Sequence, residues 1–137
     1  MRRILISLLL LCTALLTGCA TDQRSQSLTS TLNAYGSVVR WGDFENALQF
    51  VDPEVRKEHP PSALDLARFK QLRVTGYDDG PGPATSGENE VRQVVQISFA
   101  NINTQAERTV VDHQLWHYDP VKKHWWLMSG LPNISSE

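Results

Sequence analysis

Asp112, His113 and His117 stand close together near the end of the chain, and a carboxylate with two imidazoles is raw material for general acid–base catalysis or a metal site. The spacing of His113 and His117 is that of a helical zinc pair. The surrounding residues Val110, Val111, Leu115 and Trp116 read instead as a strand. Four strand residues span roughly 13 Å, beyond what one ion with bonds of ~2 Å can bridge. No metal and no cofactor are therefore expected. On a strand Asp112 and His113 point to opposite faces, so they act on one substrate atom only if a bulge intervenes. They are the weak catalytic candidates, with Tyr35 or Tyr77 in support. Asp112 shares a face with Trp116, and His113 with Leu115 and His117. Asp119 facing His124 reads as a polar pair beside a hairpin tip. No serine nucleophile elbow, phosphate-binding glycine loop or paired-carboxylate motif appears.

The densest chemistry is aromatic. Trp116, Tyr118, Trp125 and Trp126 pack a sheet if they face inward, and offer a ligand or partner surface if they do not. Adjacent Trp125 and Trp126 face opposite ways and do not easily enter one core. Tyr35, Trp116, Trp125 and Trp126 are therefore the candidates for ligand or partner binding. Lys122, Lys123 and His124 make a small basic tip next to them.

A different chemistry is written at the start. Arg2 and Arg3 precede an apolar run from Ile4 to Leu16, and Leu16-Thr17-Gly18-Cys19 follows. The run is too short for a permanent membrane span and has the layout of an export signal. These residues resemble a bacterial lipoprotein signal peptide, with Cys19 where the lipobox places the residue that becomes acylated. The resemblance implies a signal peptide over residues 1–18 and a lipidated N-terminus with a tether over 19–27. It also implies anchorage in the lipid bilayer through acylated Cys19, on the periplasmic side of the envelope. Stable anchoring takes more than one acyl chain, a condition such lipoproteins meet. Ala20, where an Asp would favour the inner membrane, points to the outer membrane.

Removing 18 of 137 residues leaves 119, enough for one domain with a modest core. Arg2 and Arg3 leave with the leader, so 11 of 13 basic residues face 15 acidic ones, a balance of −4 that argues against nucleic acid. Cys12 lies in the leader and Cys19 is consumed by acylation. No disulfide is then expected, and the fold must rest on an ordinary core.

The elements that position these residues follow from periodicity. Leu28, Leu32, Tyr35 and Val39 give an amphipathic helix from Ser27 to Trp41, stopped by Gly42. Asp43 caps a second short helix carrying Phe44, Ala47, Leu48 and Val51, limited by Pro53. The mixed charges and prolines from Glu54 to Pro61 read as a surface turn. Ser62 caps a third helix with Leu64, Leu66, Ala67 and Phe69. Strands are expected over Leu72–Tyr77, Glu90–Ile102, Glu107–Tyr118 and His124–Leu131, with a plain loop from Gly80 to Asn89. Pairing Asp119 with His124 sets His117 opposite Trp126, Trp116 opposite Leu127 and Leu115 opposite Met128. Apolar residues then fall on both faces of the sheet, which asks for cover on both sides.

Three helices followed by a bent antiparallel meander resemble the nuclear transport factor two-like fold. The local cues are Tyr35 to Trp41, the Gly42-Asp43-Phe44 joint, Phe50-Val51-Asp52-Pro53, and the late hairpin from Leu115 to Leu127. The resemblance implies an α+β domain over residues 28–137, with N-terminal helices packed on a strongly bent four-stranded antiparallel sheet. It also implies a pocket between helices and sheet, and often a dimer through the open sheet face. Enzymes share this fold, but fold does not transfer activity, and none of their motifs aligns here. The reading is a non-enzymatic interaction or accessory module of the bacterial envelope, with a homodimer or an envelope protein as partner. The alternatives are a binder of a small apolar ligand in the cone and a cofactor-free isomerase or dehydratase using Asp112 or His113.

Overall fold

Val91, Val95, Ile97 and Phe99 fall on alternate positions of one segment, so an extended chain puts them on one face. That segment is the centre of the sheet. The computed structural model describes the backbone of residues 2–135 and the side chains of residues 19–135. The chain runs α1 (Arg2–Arg40), α2 (Phe44–Ala47), a 3-10 turn at Leu48–Phe50, α3 (Pro53–Glu58) and α4 (Ala63–Phe69). Then come β1 (Leu72–Asp78), β2 (Ala84–Gly87), β3 (Glu90–Asn101), β4 (Glu107–Asp119) and β5 (His124–Leu127). The side chains of the expected leader lie outside the described residues. Among the described residues no helix is long and apolar enough to cross a membrane.

Local chemistry sets the helix ends. Gly42 takes a φ of 72°, and its N–H donates to Val39 O at 2.8 Å while that of Asp43 donates to Val38 O at 3.1 Å, which closes α1. The Asp43 carboxylate accepts from Asn46 N–H at the start of α2. Ser62 and Asp65 form a reciprocal capping box on α4, with Asp65 N–H to Ser62 Oγ at 3.1 Å and Ser62 N–H to Asp65 Oδ2 at 3.2 Å.

Three expectations need correction. Residues 19–26, expected as a tether, belong to α1, whose next turns place Leu28 and Leu32 against the core as expected. Residues 54–58, expected as part of a turn, are helical. Pro53 stops one helix and starts the next, because its fixed φ suits the first helical position and Asp52 accepts from Glu54 and Val55 N–H at 2.9 and 3.2 Å. The loop from Gly80 to Asn89 contains β2, whose Ala84 and Thr85 pair with Arg92 and Val91 and so extend the β1 edge of β3.

The sheet order is β1-β3-β4-β5, all antiparallel, with β2 beside β1 on the same edge of β3. A bulge between Val74 and Gly76 bends β1. The β4–β5 register places Asp119 opposite His124, His117 opposite Trp126 and Trp116 opposite Leu127, as expected. The ladder stops at Leu127 rather than Leu131, although Met128 N–H still donates to Leu115 O at 2.7 Å. Beyond it the chain runs beside α3 and α4, where residues 128–135 share a groove with Val55, His59 and Phe69. Ile134 enters the core, and the Arg108 guanidinium donates to its carbonyl.

The result is an α+β domain in which an N-terminal helix packs on a strongly curled antiparallel half-barrel. Tyr35 and Val39 from α1, Phe44 and Ala47 from α2, and Phe69 from α4 meet Val95, Ile97, Phe99, Trp116 and Leu127. Phe44 and Phe69 stack with centroids 4.0 Å apart. Burying each such aliphatic or phenyl side chain contributes about 1.5–3 kcal/mol, so this set holds the helices to the sheet.

Candidate functional site

Four inward positions of the β3–β4 pair are not apolar in the ordinary sense. Gln93 faces Gln114 across the ladder, Asp112 faces Val95, and Trp116 faces Val91. Because strand residues alternate, all of them point to the concave side beneath α1. Their polar atoms meet. Gln114 Nε2 donates to Asp112 Oδ2 at 2.8 Å and, at 3.4 Å, to the Tyr77 hydroxyl. Trp116 Nε1 donates to Gln114 Oε1 at 3.2 Å. Gln114 is thus the hub of a buried chain from Trp116 to Asp112 and Tyr77.

The helix closes this belt from above. Gly36 lets α1 press on β1, since a Cβ there would lie 3.2 Å from the Tyr77 ring. The Arg40 guanidinium sits 4.8 Å from the centroid of the same ring. Tyr35 meets Trp116 edge to face at 5.3 Å and Phe50 at 5.5 Å, the arrangement favoured by aromatic quadrupoles. The Tyr35 hydroxyl and Gln93 Oε1 are buried without a hydrogen-bond partner, as is Trp125 Nε1.

Electrostatics follow from this burial. Desolvation raises the pKa of Asp112, opposed by the Gln114 hydrogen bond and the nearby His113. Desolvation likewise raises Tyr77, and raises Tyr35 well above the phenolic value, with Asp112 adding to both shifts. A carboxyl group of raised pKa beside neutral tyrosines has the proton-holding chemistry of a general acid or base. Trp116, Tyr35 and Leu127 fill the space around it, and Asp112 and Gln114 are themselves buried.

The sequence candidates thus separate. Tyr35 and Trp116 touch each other in the interior. Trp125 is buried against Tyr118, with ring centroids 5.0 Å apart. Trp126 is half-buried on the outer face, 4.2 Å from the His124 ring. His113 and His117 are exposed on that same outer face, away from Asp112. Among the described residues no group of three His, Cys, Asp or Glu side chains is placed to hold a metal. Cys19 is exposed on α1. Gln93 and Gln114 escaped the sequence reading. Their only signal was parity: each sits in phase with the inward apolar residues of its strand.

The outer face of the same two strands differs. Val94 and Val111 are 47% and 55% exposed among Arg92, Gln96, Thr109 and His113. Since β5 covers only residues 116–119 of β4, Thr109 to His113 have no strand partner on that edge among the described residues. Compared with protein-family models, curated proteins and solved structures, the chain matches none.

Proposed function

We propose that this chain is a lipoprotein acylated on Cys19, facing the periplasm from the outer membrane. On this reading it carries a nuclear transport factor two-like domain that works as an interaction or accessory module of the envelope rather than as an enzyme. The anchoring half rests on Arg2-Arg3, the apolar run, Leu16-Thr17-Gly18-Cys19 and the exposure of Cys19. Helices followed by a curled antiparallel sheet support the fold half. One observation carries the functional half: Tyr35, Trp116 and Leu127 fill the concave interior while Val94 and Val111 stay exposed beside a stretch of β4 that has no strand partner among the described residues. An open edge with β-branched residues is a template for strand pairing, so the partner is an envelope protein or a second copy.

Two experiments test the halves separately. The Cys19→Ser variant is expected to leave the membrane fraction, and its persistence there as in the parent would sink the anchor. A photocrosslinking residue at Val111 is expected to trap one discrete partner or a dimer in cells, whereas the same residue at Leu64 on α4 is not. Equal, diffuse labelling at both positions counts against the module.

A second reading, cofactor-free proton transfer of the isomerase or dehydratase kind, is favoured by one feature. Asp112 is a buried carboxylate of raised pKa beside Tyr77 and near the unpartnered Tyr35 hydroxyl. It requires α1 to lift from the sheet for a substrate to enter. A small apolar ligand finds less support, because Tyr35 and Trp116 occupy the space against each other.

A further inference from the structure

Cys19 and the β4–β5 hairpin are brought to the same end of the molecule by Arg24. Its guanidinium donates to the Glu88 carbonyl and lies over the Tyr118 and Trp125 rings, 4.7 and 5.4 Å from their centroids. These rings flank the base of the hairpin. Ala20 and Thr21, one helical turn earlier, line a groove of about 500 Å³ together with Tyr118, Trp125 and Glu88. The α-carbon of Cys19 therefore lies only about 7.5 Å along the helix axis from Arg24.

The hairpin tip has a shape and composition of its own. Asp119 Oδ1 accepts from the N–H groups of Val121 and Lys122 at 2.9 and 3.0 Å, which fixes the turn. Lys122 and Lys123 are left exposed, and Val121 is 89% exposed at the apex. The Lys122 ammonium stands 5.9 Å from the Trp126 ring centroid. An apolar apex flanked by two ammonium groups, with an indole behind, suits the boundary between lipid headgroups and water. The domain's acidic balance gives no general attraction to an anionic surface, so this local charge has to act within roughly a Debye length of ~8 Å. A short anchor at Cys19 supplies that proximity.

We infer that Val121, Lys122 and Lys123 rest on the anionic phospholipid headgroups of the bilayer in which Cys19 is anchored, giving the domain a second point of contact and a fixed orientation. This rests on the acylation of Cys19 proposed above. Trp41 is the informative contrast. It is also strongly exposed, at 86%, but it follows the far end of α1. Twenty-two helical residues from Cys19 amount to about 33 Å, so an upright domain holds Trp41 clear of the membrane.

The test uses the full acylated protein reconstituted into vesicles of phosphatidylethanolamine and phosphatidylglycerol. Once the leader is removed and Cys19 acylated, Val121→Cys and Trp41→Cys each supply a single free thiol for an environment-sensitive dye. Spin-labelled lipids are expected to quench the dye at position 121 several-fold more than at position 41. Lys122→Glu with Lys123→Glu, or vesicles of phosphatidylcholine alone, should remove most of that difference while the protein still sediments with the vesicles. Equal quenching at both positions, or none at position 121 in sedimenting protein, overturns the orientation and leaves the anchor intact. Protein that has the mass of an unacylated chain and stays in the supernatant overturns the anchor, and with it this contact.

Discussion

Val94 and Val95 are neighbours on β3, yet Val95 is wholly buried beside Asp112 while Val94 is 47% exposed opposite His113. The same division runs through β4, where Val110 is buried and Val111 is 55% exposed. The two faces are made by the same strands from residues of similar hydropathy, so composition does not separate them. What separates them is α1, which covers one side with Tyr35 and Val39 and leaves the other to solvent. The inner face gains burial and accepts a polar belt with two unpartnered oxygens, the Tyr35 hydroxyl and Gln93 Oε1. The outer face gains little, which leaves its apolar residues free to meet something else.

Removing an anchor of the inner face should cost the most. Trp116→Ala deletes the ring that meets Tyr35 and takes the partner of Gln114 Oε1 with it, and is expected to lose about 3–5 kcal/mol in denaturant unfolding. A loss below ~1 kcal/mol would mean that the interior is loosely packed and the contrast between faces is overstated.

Gln114→Leu is the next largest. It keeps most of the volume but strands Asp112 Oδ2 and Trp116 Nε1 without their partner, for an expected loss of about 1–3 kcal/mol. A neutral result would show that water already satisfies the belt.

Asp112→Asn should go the other way. Burial holds the folded pKa of Asp112 above its unfolded value, so the folded state binds the proton more tightly. Asp112 therefore imposes no penalty below the unfolded pKa. Stability falls as pH rises through the window between the two values, then levels off above the folded one. Asn keeps an acceptor for Gln114 Nε2 and loses the charge. The variant's melting temperature should match the parent's in acid and exceed it at pH 7. A gain that is the same at both pH values would point away from the charge.

Val111→Lys should have the smallest effect on stability, within about 0.5 kcal/mol, because its side chain is already half in water. If it also abolishes crosslinking from a probe at Val94, the outer face is the partner surface.

Much of this scaffold was legible in the chain. Ser62, Asp43 and Gly42 marked helix ends that depend on contacts between near neighbours. The hairpin register followed from closing a turn at Asp119. Other parts had no local signal. The Ser/Thr/Gln-rich part of α1 before Leu28 lacks an apolar period, and it is held where Arg24 reaches Tyr118 and Trp125, far along the chain. β2 is made of small residues that become a strand only because β3 offers them an edge. The candidate site was half legible: Asp112 stood out by charge, whereas Gln93 and Gln114 looked like solvent-facing residues until both strands were paired and roofed.

The sequence by itself determined the alternation of the strands and the caps and turns. These depend on energies exchanged within a few residues. Only the tertiary structure decided that Tyr35 and Trp116 close over Asp112, that His113 stands on the opposite side from it, and that β4 keeps an open edge among the described residues. Both faces of β3 and β4 carry apolar residues, so either face was eligible for burial. The choice belongs to the helix that packs across them and to the chain's departure after Leu127, which are contacts between segments far apart in sequence.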